Sequence, residues 1–547
     1  MFCHVLSAVI SGVDALPVTV EADVSDGMPQ FTIVGFVSSQ VREAQDRVRA
    51  AVRNLGVSLP PRRITINLAP GDLRKDGSRF DLPIAAAVLQ AVGVIPGDAF
   101  QDTLLAGELH LDGHTERITG ILPTVLMARE QGCRVCLIPS GNVREGEAVK
   151  GIRIVGIRTL EDLVAYGRGE LPDAKDCGSE TAADPGEYTV DFADIHGQEE
   201  AKRAALIAAA GFHNLLLSGP PGSGKSMTAQ RIPTILPELT QEESLEISRI
   251  YSIVGLLPDA EPLMRRRPFR APHHTITATA LCGSGLHPRP GEITLAHRGV
   301  LFLDELPEMD RGTLEKLRQP LEERRITIAR TGGVCTYPAS FLLVAAMNPC
   351  PCGYYPDRQR CSCSVREIRR YQAKVSQALL DRIDLRCSVR AAEYDDLSAG
   401  ASGTDTSESM REYVVRAGEL QRDRYAGMGI LFNSELGVSD ISRYCVMSSE
   451  AGRLLRSAFR TLHLSARGYH HVLRVARTIA DLEGAGVIGE SHISEALCFR
   501  CGEIEVPDSG TGRTLAGREG VENWKTQKRI RTGVGKKKTG IKQISGS

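Results

Sequence analysis

In the first third of the chain, apolar residues come in short runs or with period two, separated by stretches with period 3.6. Phe31–Val34, Ile64–Asn67, Leu104–Leu111 and Arg134–Ile138 read as strands. Ser38–Asn54 reads as an amphipathic helix with Val41, Ala44, Val48 and Val52 on one stripe, and Asp81–Val92 as an Ala-rich helix. This alternation predicts an α+β layer domain over residues 1–170. Residues 171–187 (LPDAKDCGSETAADPGE) lack any period and are rich in Pro, Gly and acidic side chains, which predicts a linker. From 188 to 390 the pattern changes. An Ala-rich helix at Ala201–Gly211 is followed by three short apolar runs, Asn214–Ser218, Gly299–Leu306 and Phe341–Ala346, each with polar residues at or near its end. Runs of that kind are buried strands of an open parallel sheet, so the fold class is α/β. Residues 391–505 read as a helical lid. Its pieces are a loop at Leu397–Met410 and helices at Glu412–Ala426, Ser439–Tyr444, Glu450–Leu462, Ser465–Leu482 and His492–Glu503. Residues 506–547 turn to Gly, Lys and Arg and predict a disordered basic tail.

Chemistry sits where the apolar runs end. After Asn214–Ser218 comes Gly219-Pro220-Pro221-Gly222-Ser223-Gly224-Lys225-Ser226, which fits G-x-x-x-x-G-K-[ST] without a mismatch. Glycines let successive backbone N–H groups turn around phosphates, and the next helix adds its positive end. Lys225 is the candidate for the β- and γ-phosphates and Ser226 for Mg²⁺. The alternative, an ordinary Gly/Pro turn, leaves the lysine and hydroxyl in register unexplained. Ser218 apart, the next run, GVLFLDEL, closes on Asp304, a candidate to hold Mg²⁺ through water, and Glu305, a candidate to polarise the attacking water. The third run delivers Asn348, at the kind of strand end where open α/β sheets hold ligands; an Asn-Pro turn is the plainer alternative. These residues predict binding of a nucleoside triphosphate with Mg²⁺.

Composition sets limits on the rest. At 547 residues the chain needs several domains. No apolar run reaches membrane-spanning length, and MFCHVLSAVISGVDALP has no basic leader, so neither a membrane span nor a signal peptide is expected. Fourteen cysteines without a leader point to a reducing, cytoplasmic setting. Cys350, Cys352, Cys361 and Cys363 form two C-x-C pairs in one short loop. They suit a structural tetrahedral Zn²⁺, with four unliganded thiols as the alternative. The net charge of −1 neither supports nor excludes a nucleic-acid partner, and the run 525–542 is locally basic.

Family resemblance adds what the residues alone do not. KDGSRFDLPIAAAVL (75–89) and GELHLDGHTERITGIL (107–122) resemble the Lon protease domain. That resemblance puts the nucleophile position on Arg79 and the activating lysine position on Leu122. Ser78 stands next door without a base, so the front domain is expected to be structural or DNA-handling rather than proteolytic. DFADIHGQEE (191–200) resembles the lead-in of AAA+ proteins, in which His196, Gly197 and Gln198 would lie near the base; a capped helix start reads equally well. Asn348 matches the first sensor of that class. In ALLDRIDL (378–385), Arg382 matches the arginine finger given to a neighbouring subunit, with pairing to Asp381 or Asp384 as the alternative. Arg467 matches the second sensor arginine, with Arg474 as runner-up and plain solvation of either as the alternative. GQEEAKRA, GPPGSGKS, RPFRAPHHT, GEITLAHRGVLFLDEL and MNPCPCG together resemble the ComM/YifB family, magnesium-chelatase-like AAA+ proteins with a hairpin inserted in the second helix. The resemblance implies an ATP-hydrolysing ring, a hexamer, acting as a helicase or translocase on single-stranded or branched DNA of any sequence. The work implied is branch migration in recombination or natural transformation. Arg267, Arg270 and Arg289 around the insert are candidate phosphate contacts. A chelatase-type or protein-remodelling ATPase with a partner protein is the alternative.

Overall fold

A computed structural model describes residues 2–170, 188–258, 261–284, 289–330, 333–391 and 405–500. The expected linker 171–187, most of the expected loop 397–410 and the expected tail 506–547 lie outside the described residues.

The front part is a seven-stranded mixed sheet. Its strands are β1 (Phe2–Ser11), β2 (Asp14–Ser25), β3 (Gln30–Val34), β4 (Arg63–Ala69), β5 (Thr103–Leu105), β8 (Val135–Pro139) and β9 (Arg153–Ile157), in the order β3-β4-β2-β1-β5-β8-β9. Helix α1 (Ser39–Asn54) is capped by the Ser38 side chain and buries Val41, Ala44, Val48 and Val52, the stripe its spacing predicts. Helix α2 (Asp81–Ala91) is buried on every side, which is why its sequence is apolar all round. The hairpin β1–β2, in register from Phe2↔Asp23 to Ser11↔Asp14, is absent from the sequence expectations. Its signal is present in β2, where Val18, Val20, Ala22 and Val24 alternate inward. The expected strand Leu104–Leu111 is corrected to β5 and a separate β6 (Glu108–Leu109), the latter paired with β7 (Thr115–Glu116). The break falls at Gly107, whose N–H and C=O bond Arg79 O and Leu82 N, pulling the chain off the sheet onto the start of α2. Helices α3 (Ile121–Glu130), α4 (Val143–Glu147) and α5 (Leu160–Gly167) complete this part.

The central part opens with α6 (Glu199–Gly211) and carries a five-stranded parallel sheet. Its strands are β10 (Leu215–Ser218), β11 (Phe269–Arg270), β14 (Val300–Leu303), β17 (Leu342–Met347) and β18 (Leu385–Ser388), in the order β11-β14-β17-β10-β18. Strands β10, β14 and β17 are buried along their whole length, as unbroken apolar runs require. Helix α7 (Lys225–Ile235) follows β10 directly, and α8 (Gln241–Val254) comes next. A short hairpin of β12 (Gly283–Ser284) and β13 (Arg289–Pro290) stands between α9 (Ala278–Cys282) and α10 (Glu292–Leu295), where the family resemblance expects an insert. Between β14 and β17 lie α11 (Arg311–Glu315), α12 (Arg318–Glu323) and a second hairpin of β15 (Arg325–Arg330) and β16 (Gly333–Pro338). After β17 come α13 (Val365–Gln372) and α14 (Gln377–Leu380).

The last part is helical, with helices at Ser407–Arg424, Val438–Tyr444, Ser449–Thr461, Ala466–Leu482 and Glu490–Arg500. The expected loop is corrected at its end. Thr406 caps the first helix, so Ser407–Met410 is already helical, and the Ser407 hydroxyl bonds Phe192 N and Thr234. These helices share one core with α6, α7 and one face of the central sheet. A buried polar chain fastens them. Asp384 takes a hydrogen bond from His471, accepts Asn214 N at 3.0 Å and faces His213 at 3.7 Å. Burial pushes the Asp384 carboxyl up, but the two imidazoles outweigh it and hold it well below the usual carboxylate range. His213 continues the chain to Thr478 at 2.8 Å, and Arg203 pairs with Glu495 at 2.7 Å.

Candidate nucleotide site

The site is built by register. Ser218 pairs with Met347 and Leu303 with Ala345, so the C-terminal ends of β10, β14 and β17 lie side by side. The loop 219–226, the pair Asp304–Glu305 and Asn348 therefore meet at one edge of the sheet. Gly219 admits no side chain: a Cβ there would stand 2.2 Å from the Val389 carbonyl oxygen. Lys225 folds back over the loop and donates to the carbonyls of Gly219 and Pro220 at 2.8 Å each and to Asn348 Oδ1 at 3.3 Å. Burial pushes its ammonium below the usual lysine range, and Asp304 partly restores it. The buried Ser223 hydroxyl has no hydrogen-bond partner among the described residues. A loop with an inward lysine and an orphan hydroxyl fits phosphate oxygens.

Ser226 Oγ donates to Asp304 Oδ2 at 2.9 Å, which puts two hard oxygen donors of the kind magnesium takes beside the lysine. Glu305 sits in a left-handed backbone conformation (φ 50°) and its N–H bonds Asp304 Oδ1 at 2.8 Å. Its carboxylate meets His274 Nδ1 at 2.9 Å, and the His273 ring lies tilted by 33° against His274 with centroids 4.1 Å apart. His274 belongs to RPFRAPHHT, and nothing in that string's spacing signals a partner thirty-one residues on. Gln198 donates to the Arg390 carbonyl at 2.7 Å, one residue beyond the carbonyl that walls Gly219.

Directly after Asn348, the sulfurs of Cys350, Cys352, Cys361 and Cys363 all lie within 4.8 Å of one another. Cys350 Sγ is 3.3 Å from Cys352 Sγ and 3.7 Å from Cys361 Sγ. A tetrahedral zinc with Zn–S near 2.3 Å needs sulfur separations of about 3.8 Å, so the donor set fits that ion. Burial raises the Cys352 thiol, but the Tyr354 N–H and the neighbouring sulfurs outweigh it and bring it to about 6; Cys363 is pushed up to about 12. One thiolate forms readily and the next is resisted, a repulsion that a dication removes.

Arg382 and Arg467 meet at the opposite edge of the sheet. Asn214 and Asp384, at the N-terminal ends of β10 and β18, hold the segment that carries Arg382: Asn214 Nδ2 donates to the Arg382 carbonyl at 3.1 Å. The buried Arg382 guanidinium pairs with Glu322 at 2.7 Å, and Arg467 donates to the same Glu322 oxygen. Neither Asp381 nor Asp384 is the partner of Arg382. A four-residue strand of roughly 13 Å separates this edge from the phosphate loop. Arg474 is taken up by the Leu436 carbonyl inside the lid.

Three profiles for parts of one magnesium-chelatase subunit tile the chain. "Subunit ChlI of Mg-chelatase" covers residues 20–142, "Magnesium chelatase, subunit ChlI" 191–397, and its C-terminal part 404–500. Competence protein ComM of Haemophilus influenzae is 42% identical over 499 residues, 91% of this chain and 97% of ComM. The chain belongs to the ComM/YifB family of magnesium-chelatase-like AAA+ proteins. YifB of Escherichia coli, another ComM/YifB protein, is 40% identical over 493 residues, 89% of this chain and 95% of YifB. Lon protease 2 of Bacillus subtilis is 26% identical over 145 residues, 25% of this chain and 26% of that protease. Membership in the ComM/YifB family carries the ATP and Mg²⁺ of AAA+ proteins with it. Among the described residues no helix is long and apolar enough to cross a membrane.

In this ComM/YifB chain the two positions matched to Lon, Arg79 and Leu122, are neighbours, since Arg79 bonds Thr119 and Thr124 on either side of Leu122. Arg79 is buried and donates to Thr119 O and to Thr124 Oγ1 at 3.3 Å, and burial lowers its guanidinium to about 10, partly countered by Glu145. Leu122 N donates to Glu145 Oε1 at 3.0 Å and to Ser252 Oγ of α8 at 3.3 Å. Ser78 bonds Glu108 instead of an amine. The central part thus closes over this spot through Ser252, while Arg249 reaches Val13 O and Asp14 of the front sheet.

Two of the three candidate DNA contacts are corrected. Arg267 is buried and spends its guanidinium on the carbonyls of Pro237, Glu238 and Arg298 and on Glu243 at 3.0 Å, so it braces the turn before β11. Arg270 is clamped by both oxygens of Glu292 at 2.6 and 2.8 Å. Arg289 remains exposed on β13. The β15–β16 hairpin is a feature the sequence reading lacks. Alternation through Ile326 and Ile328 followed by Gly332-Gly333 was the available signal.

Proposed function

We propose that this protein is an ATP-driven ring motor, a hexamer in the cytoplasm, that moves single-stranded or branched DNA of any sequence and promotes branch migration. The observation that carries the motor is the meeting of Lys225, Ser226, Asp304, Glu305 and Asn348 at one sheet edge, with Arg382 and Arg467 at the other. Lys225 and the loop N–H groups, with Gly219 to Gly224 lining the turn, bind the phosphates. Ser226 and Asp304 would hold magnesium, which draws charge off the β- and γ-phosphates when bound. Glu305 accepts a proton from the attacking water once His274 lets it go, and Asn348 orients that water. Arg382 lies a strand length from its own loop, so a finger role for it requires a neighbouring subunit, and Arg467 beside it acts from the same side. ComM of Haemophilus influenzae is named a competence protein, and we extend a role in DNA uptake and recombination to this chain on that likeness. Arg289 on the β12–β13 hairpin is the phosphate contact that remains from the sequence reading.

ATP turnover should rise when single-stranded or forked DNA is added at low salt and fall back towards physiological salt, because phosphate contacts release counterions. With a labelled three-strand junction, strand movement should need ATP, Mg²⁺ and Lys225. DNA that neither binds nor stimulates would turn the reading to a chelatase-type motor with a protein partner. The front domain would leave unfolded casein intact, and Ser78-dependent cleavage would overturn that view.

Cys350, Cys352, Cys361 and Cys363 would hold one structural zinc that clips the segment after Asn348. Metal analysis should find about one zinc per chain, falling when Cys350 and Cys352 are replaced by serine. A folded, zinc-free protein would decide for four free thiols.

A further inference from the structure

The four-cysteine loop carries more than a clip. Its chain presses on the phosphate loop: at Gly353 (φ 86°) a Cβ would stand 2.5 Å from Pro221 Cδ, so only glycine allows this approach. From the same loop, Tyr354 and Tyr355 stand half-buried with guanidiniums laid over their rings, Arg360 at 4.1 Å and Arg358 at 5.0 Å from the centroids. Arg358 also donates to the Cys363 carbonyl at 2.9 Å. Helix α13 then buries Ile368 and Tyr371 inward and turns Arg366 and Arg370, four residues apart, outward on one face. Neither of those two guanidiniums has an ion-pair partner among the described residues. Residues 350–374 hold six cations against two carboxylates, and one of the two, Glu367, is engaged in capping α13 with Ser364.

We propose that this surface, the cysteine loop with the outward face of α13, is a nucleic-acid contact that takes the phosphates and unstacked bases of a single strand. Exposed guanidiniums that stand clear of any carboxylate match a run of phosphates. Arginine planes stacked on tyrosines offer flat faces on which bases of any sequence can stack. An acidic protein surface would be met by the same charges but would make no use of the stacked planes. Because Gly353 abuts Pro221, a strand seated here bears on the loop that grips ATP, which gives DNA a short route to turnover. The proposal rests on the DNA reading above and adds a site to it.

The test uses the full chain with Arg366→Ala and Arg370→Ala together, both on an exposed helix face where alanine is a good helix former. Binding of a labelled single-stranded oligonucleotide is titrated at several salt concentrations, beside ring assembly and DNA-free ATP turnover. The double variant should bind about tenfold more weakly at low salt, and the slope of log K against log salt should drop by about 1.4, two contacts at roughly 0.7 each. Ring assembly and DNA-free turnover should match the parent protein. If the parent binds DNA and the variant keeps its slope, this surface is wrong and the DNA reading stands. Loss of assembly or of DNA-free turnover would hand the surface to a neighbouring subunit and overturn the proposal. A parent protein that binds no DNA would overturn both.

Discussion

Lys225→Ala protein should fold and hydrolyse ATP at least about 10²-fold more slowly than its parent, the loss typical when one donor to developing charge is removed. The side chain makes no contact that the fold depends on. Among the described residues its ammonium bonds the loop carbonyls of Gly219 and Pro220 and the Asn348 side chain. Without it, the half-buried Pro220 can turn its carbonyl to water and the buried Gly219 carbonyl loses one donor, so the thermal midpoint should drop slightly. What disappears is the cation for the β- and γ-phosphates in a site where burial already strains that charge. Glu305→Gln separates binding from chemistry. It keeps the shape of the side chain beside His274 but cannot take a proton, so ATP should bind and remain uncleaved. Turnover and bound nucleotide are measured side by side for both variants. Parental turnover in the two of them would remove the motor assignment.

Arg382→Ala should cost as much or more, about 10³-fold for an arginine supplied by a neighbour, and should be curable by mixing. In a ring that combines Arg382→Ala with Lys225→Ala subunits, some interfaces pair an intact arginine with an intact loop. Those interfaces should turn over, while each variant alone should not. The geometry makes this more than a formal possibility. Arg382 sits at the N-terminal edge of the sheet, fixed through Asn214 and held by Glu322 together with Arg467, at the opposite strand ends from its own Lys225. Because Arg382 is buried, its loss also leaves Glu322 with one guanidinium instead of two, and a structural defect alone would lower turnover. Such a defect would not be repaired by a subunit whose own loop is dead. Mixed-subunit ATPase that stays at the sum of the two single variants would end the trans assignment.

What the sequence could report, and what it could not, follows from how far apart the deciding residues lie. Loop 219–226, the pair Asp304–Glu305 and Asn348 were legible because each closes a short buried strand. In each case a few adjacent residues set both the backbone and the chemistry. The stripe of α1 was legible for the same reason, since its period is local. The four cysteines also stood within fourteen residues of one another. The arginines were different. Arg267, Arg270 and Arg289 read alike in sequence, yet one is buried on three carbonyls, one is clamped by Glu292 and one is exposed. A cation's worth depends on its partner, and no period announces a partner. Arg467 and Glu322 lie 145 residues apart in the chain. Arg79 reaches Thr119 across forty, and Leu122 meets Ser252 across 130. By itself the sequence determined that a G-x-x-x-x-G-K-[ST] loop, an acidic strand end and a polar strand end close buried strands of a parallel sheet. Only the tertiary structure decided which arginines are free, that Arg382 and Arg467 share one carboxylate away from their own loop, and that the Lon-like spot is closed by the central part. Local backbone preference writes the first kind of fact into neighbouring residues, whereas long-range packing and charge pairing create the second only when distant segments meet.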